Sequence, residues 1–353
     1  MTHMPLFRRP RRRTAEPAPV NEAVIGFWRW WDQHADEVAG ALSNGHSHAV
    51  EGMVGPQVAR IHPDLAWEVG AGREAAYLLV VSSDGSPELR TLAERWRRAG
   101  PPDGAVWQFR PARQRDRTAF RPGNEITAGG RAVELSTIVA QATPDDRRCR
   151  LDVSIYHPRF FEMPEQARVH LSFMVLDWAL GEDDVERWLG AVEAVTVEPI
   201  DPFPVARLAE VVQQAAQGWS GDRWALMEGW HGDRRLLAAI RHPLHRVDHP
   251  LFDQHVEIRL PYRDLLPDGL PGEQAVVDLK AFQDSVTERL GASALLVGHE
   301  TSSGERLMHL YGDSTASVVP LIEAMLGAYS AGSGSVRGEP DPSWHAVEHL
   351  RPQ

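Results

Sequence analysis

Two apolar periods alternate along this chain, without the regular strand–helix–strand rhythm of a parallel sheet. Leu151, Val153 and Ile155 recur every second residue, as do Val169, Leu171, Phe173 and Val175. Period 2 predicts half-buried antiparallel strands over 150–155 and 168–176. Val24, Phe27, Trp28, Trp31, Val38 and Leu42 instead fall at helical spacing, as do Val276, Val277, Leu279, Phe282, Val286 and Leu290. Pairs of strand-like runs flank Gly70-Ala-Gly-Arg, Gly232-Asp and Ser302-Ser-Gly, which predicts hairpins. Helices mixed with hairpins predict an α+β chain of two antiparallel-sheet/helix sandwich domains, ferredoxin-like in style.

With 353 residues there is room for two domains. Residues 1–20 are rich in arginine and proline and carry no apolar period, which predicts a disordered tail. Three prolines and two acids in 198–204 predict a boundary. It separates an N-terminal α+β domain, 21–200, from a C-terminal one, 201–330. Ala331-Gly-Ser-Gly-Ser then predicts a flexible tail with a short terminal segment over 331–353. The longest apolar run, 75–81, is strand-sized and far short of the roughly 18 residues of a membrane helix, so no membrane partner is expected.

Charge narrows the partners. The net charge is −12, yet residues 1–20 hold five arginines and one acid. Subtracting that +4 leaves −16 on the rest of the chain, a field that repels phosphate backbones. Nucleic-acid contact would have to run through the arginine tail and the Arg110–Arg121 loop. A single cysteine, Cys149, excludes an intrachain disulfide and fits a cytoplasmic protein. Thr14-Ala-Glu-Pro-Ala-Pro stands where a secretory leader would carry its apolar run.

Four groups of residues are candidates for function. In Phe27-Trp-Arg-Trp-Trp, helical spacing turns Trp30 away from the other rings and makes it a candidate binding residue. Arg110, Arg113 and Arg121, with Arg115 and Arg117, form a loop able to grip an anion. His242, His245, His249 and His255 crowd one segment together with Asp248 and Asp253, and these are ligand types zinc accepts. Their spacing matches no closed zinc site, and Pro243 and Pro250 favour a solvated loop. Cys149 lies among Arg147, Arg148 and Arg150, which would lower its thiol pKa, but no histidine is its sequence neighbour. Two further features have structural explanations. Asp183 and Asp184 stand at a predicted helix start, where acids oppose the dipole. Gly70-Ala-Gly-Arg-Glu-Ala imitates a dinucleotide fingerprint but is followed by a strand-like run instead of a helix. No residue is assigned a catalytic role and no cofactor is expected.

Four segments in order carry a family resemblance: Phe27-Trp-Arg-Trp-Trp, Ile61-His-Pro-Asp-Leu-Ala-Trp-Glu-Val-Gly, Tyr77-Leu-Leu-Val-Val-Ser-Ser-Asp-Gly and Val106-Trp-Gln-Phe-Arg-Pro. Over residues 24–115 the chain resembles the bacterial proteins of the family "domain of unknown function 695". Val297-Gly-His-Glu-Thr-Ser-Ser-Gly-Glu-Arg resembles a glycine-turn hairpin of the same proteins. The second half resembles the small α+β fold of the ribonuclease E regulator B proteins, which act by binding. These resemblances imply a fold and no catalytic residues. The expectation is a non-catalytic protein that binds another protein. The alternatives are a metal-assisted hydrolase built on the His242–His255 segment, and nucleic-acid contact through the arginines.

Overall fold

The computed structural model describes residues 20–221, 223–231 and 234–352. The expected disordered tail, apart from its last residue, and the Gly232-Asp turn lie outside them. The fold is α+β. The chain divides into two compact units, Met1–Asp145 with Arg150–Ala216, and Asp146–Cys149 with Gln217–Gln353.

The first unit begins with helices α1 (Val20–Ser43) and α2 (Ser47–Ile61). Strands β1 (Ala66–Ala71) and β2 (Tyr77–Ser82) form an antiparallel hairpin, so Gly70-Ala-Gly-Arg closes a turn. Helix α3 (Pro87–Ala99) then crosses to β3 (Trp107–Arg110), which runs parallel to β2. Aromatic rings fill the space beneath. Trp28 stacks on Trp96 at 4.9 Å, and its Nε1–H donates to the Trp96 carbonyl at 2.7 Å. The ring lies so close to the chain after α3 that a Cβ at Gly100 would sit 2.3 Å from it. Only glycine fits there.

Beyond the small hairpin β4 (Glu125–Ala128) and β5 (Arg131–Glu134) come β6 (Val139–Asp145) and β7 (Arg150–Tyr156). Helices α4 (Glu165–Leu180) and α5 (Glu182–Trp188) lead to β8 (Leu189–Val195), parallel to β7. The sheet order is β8-β7-β6-β9, with β9 at Phe203–Pro204. Two expectations are corrected here. The strand read over 168–176 is helix α4, with Leu171, Val175, Leu176 and Ala179 buried and Val169 and Phe173 exposed. Alternation at 169, 171, 173 and 175 samples both faces of a helix and imitates period 2. With that helix restored, the unit contains two strand–helix–strand crossovers, and neither of its larger sheets is purely antiparallel. The proline-rich stretch is not the boundary, because Phe203 and Pro204 pair with Ala140 and Val139 of β6. The division comes later, within α6 (Leu208–Trp219).

The second unit is built on one antiparallel sheet. Hairpin β10 (Arg223–His231) and β11 (Arg234–His242) precedes β12 (Gln254–Pro261), α7 (Glu273–Leu290), β13 (Ala294–Ser302), β14 (Glu305–Gly312), α8 (Val318–Leu326) and β15 (Ser335–Pro340). The order is β10-β11-β13-β14-β12-β15. From β12 onward this is a ferredoxin-like strand–helix–strand, strand–helix–strand fold, with the β10–β11 hairpin added to its β13 edge. Val256, Ile258, Leu260, Met308 and Leu310 pack one face against α7 and α8. The other face carries Ile240, Val297 and Tyr311 under Trp344, Val347 and Leu350 of a terminal 3₁₀ turn, His345–Leu350. Residues 331–353 are therefore not a loose tail: they supply an edge strand and a buried cover. Val336 is the one large apolar side chain in β15, which leaves the strand little sequence signal. Among the described residues, no helix is long and apolar enough to cross a membrane.

Candidate functional site

Strand β10 is the outer edge of the six-stranded sheet. Along a strand, alternate side chains share a face. Ala225 and Met227 turn inward to the cluster around Trp344. Trp224, Leu226 and Trp230 turn to the opposite face and stand 36%, 81% and 64% exposed. Arg241 lies over the Trp224 ring at 5.4 Å, and the His299 ring is 6.1 Å away. Glu228, between Leu226 and Trp230 on that face, is held by Arg235 at 2.7 Å. The result is a nine-residue edge whose exposed face carries three large apolar side chains, interrupted by the Glu228–Arg235 pair.

A chain of histidines crosses the sheet's other face. His255 Nε2 is 3.0 Å from His309 Nδ1, and His309 Nε2 is 3.1 Å from Glu300 Oε1. His349 of the terminal turn reaches the same oxygen at 3.0 Å. One proton order satisfies all three contacts: His255 donates to His309, while His309 and His349 donate to the carboxylate. These hydrogen bonds, that from His309 first, hold the Glu300 carboxyl down at about 2. Burial, then the neighbouring His309, pushes His255 down to about 4. Tyr311 stacks on Trp344 at 4.1 Å and donates to Asp341 at 2.5 Å. The network ties the terminal segment to the sheet. Of its members, only His255 belongs to the crowded histidine segment.

The other three candidate histidines are brought elsewhere. His242 Nε2 is 3.2 Å from the Sγ of buried Cys149, a contact that sequence neighbours do not reveal. His245 is buried, and His249 stacks on Phe252 at 5.2 Å. Among the described residues, no group of three or more His, Cys, Asp or Glu side chains is set to hold a metal ion.

The arginine loop lies in the first unit and splits by role. Arg110 pairs with Asp103 at 2.7 Å. Arg113 is taken up by Asp84 at 2.7 Å and Asp177 at 3.4 Å, with Glu68 at 3.6 Å. Its guanidinium is committed to an internal acid cluster. Burial pushes the Glu68 and Asp177 carboxyls up to about 7, with nearby carboxylates adding to the rise. Arg121 is exposed. Trp30 is half-buried against the aromatic core and stacks on His34 at 5.0 Å. The sequence-derived candidates thus miss β10. Its signal was the spacing of Trp224, Leu226 and Trp230 on one face of a hairpin strand.

No curated protein and no solved structure matches this chain. Residues 223–350 match the model of a family of unknown function, DUF695. The match corrects the placement of the resemblance, because residues 24–115 lie outside it and no match supports a likeness to ribonuclease E regulator B proteins. What is similar to DUF695 is the part from β10 through the terminal turn, so the apolar edge and the histidine chain both lie within it.

Proposed function

We propose that this protein works by binding another protein, and that β10 is the strand on which the partner docks. The observation behind this reading is the exposure of Trp224, Leu226 and Trp230 along a nine-residue free edge. Natural edge strands are usually short, charged, bulged or covered, since a long apolar edge pairs with whatever strand it meets. An extended segment of a partner can satisfy the free edge by main-chain pairing and cover these three side chains with its own apolar ones. Tryptophan is also a residue type that tends to dominate interface energies.

The test is affinity recovery from the native host with the tagged full chain, read by mass spectrometry beside Leu226→Arg. The expected result is one protein near stoichiometry, lost with Leu226→Arg while the melting temperature holds. Recovery of the same protein by Leu226→Arg would remove β10 as the site. A bait with nothing attached would remove the binding reading. A dimer in sedimentation that Leu226→Arg abolishes would make the partner a second copy of the chain.

A further inference from the structure

A second site lies in the first unit, away from β10 in sequence. A pocket of about 300 Å³ is lined by Arg115, Asp116, Arg117, Phe120, Ala206, Ala209, Glu210 and Gln213. Arg115 and Arg117 come from the loop after β3, and the last four residues come from α6 and the turn before it. Arg73 is close by, donating to the Arg115 carbonyl at 2.5 Å. Among the described residues, none of these three guanidinium groups is ion-paired. That sets them apart in a chain of net charge −12, where Arg90, Arg97, Arg110, Arg113, Arg131, Arg235 and Arg259 all have carboxylate partners.

The acids at the pocket do not neutralise this group. Asp116 Oδ1 accepts from the Thr118 N–H and hydroxyl, both at 2.8 Å, which fixes the loop's turn. Glu210 is 3.3 Å from Arg207, a fourth guanidinium at this edge. Partial burial and the positive charges of Arg117 and Arg73 push the Arg115 guanidinium below its ordinary pKa, although Glu210 opposes them. Like charges gathered around a concavity repel one another, and an anion placed between them relieves that repulsion.

We propose that this pocket binds a small organic phosphate, with its phosphate between Arg115 and Arg117 and its apolar body against Phe120. Guanidinium forks match phosphate oxygens in pairs, which an ammonium does not. Gln213 supplies an amide at the same wall. The volume is at the small end of ligand sites, and it exceeds what a bare phosphate ion fills. The aromatic wall gives the remaining space to a carbon skeleton.

The experiment is calorimetric titration of the full chain with inorganic phosphate and with phenyl phosphate at low ionic strength. Phenyl phosphate is expected to bind at one site about five-fold tighter than inorganic phosphate, the difference an aromatic contact supplies. Arg117→Gln should weaken both by about ten-fold, the loss of one charged hydrogen-bonding partner. Phe120→Ala should remove only the preference for phenyl phosphate. Arg117 is exposed, so its replacement should leave the circular dichroism unchanged, and Arg115→Gln is the second variant if it does not. Absence of saturable binding, or binding indifferent to both arginine variants, would overturn the site. Equal affinity for the two probes would overturn the organic body.

Discussion

Four donors converge on the carboxylate of Glu182, the first residue of α5. Ser82 and Ser83 donate through their hydroxyls at 2.5 and 2.9 Å, and the Gly85 and Arg113 amides donate at 3.0 and 3.1 Å. The side chain is buried and joins the end of β2, the arginine loop and the start of α5. Glu182→Ala would leave these groups without their acceptor, and the cost of stranding buried polar groups sets the expectation at about 3–5 kcal/mol. Glu182→Gln keeps one carbonyl acceptor and should cost about half as much. Urea denaturation of both variants checks the order, and equal losses would show that charge alone matters. The neighbouring Asp183 is not simply a dipole cap: it grips Arg90 in a two-pronged pair at 2.9 and 3.0 Å. Acids at a helix start have a local explanation in sequence, and that explanation hides partners 93 residues away.

At the scale of elements, the strongly patterned pieces were legible and the tertiary ones were not. Helix α1 and the β10–β11 and β13–β14 hairpins follow from apolar spacing and turn residues. Helix α4 was lost because its odd-numbered apolar residues alternate. Strand β15 was lost because pairing with β12, not its own side chains, makes it a strand. Part of the terminal turn was readable, since Trp344, Val347 and Leu350 recur every third residue and all are buried. Trp344 holds a left-handed backbone, φ 59°, which is costly for a large residue and is sustained by its packing on Tyr311. Trp344→Ala should therefore cost the second unit about 3–5 kcal/mol. Hydrogen exchange should rise in β12 and β14 and remain unchanged in β1–β3. A uniform rise through both units would instead mean that they unfold together. The candidate site follows the same division. The apolar spacing on β10 is written in the sequence, whereas the histidine chain joins residues 255, 300, 309 and 349 and exists only after the sheet has formed.

On the scale of the whole molecule, acidification should move the two units in opposite directions. In the second unit, burial holds His255 and His299 neutral down to about 4, while unfolded histidine takes its proton near 6.5. Burial lowers His242 and His249 in the same sense. Between pH 7 and 5 the unfolded state therefore binds more protons, and stability falls by up to roughly 1.4 kcal/mol per pH unit for each fully affected group. In the first unit the sign reverses. Glu68 and Asp177 protonate near 7 when folded and near 4 when unfolded, so folding takes up protons in this window. Their contribution is fully present below pH 4 and is lost as pH rises through 7. His157 opposes them, but as one group against two. Hydrogen exchange at pH 7.5 and 5.5, corrected for intrinsic rates, should show greater protection of β1–β3 at pH 5.5 and weaker protection of β12–β14. If both units weakened together, the acid cluster around Arg113 would have to be ionised throughout, and the arginine would have to stabilise those carboxylates by more than their burial costs.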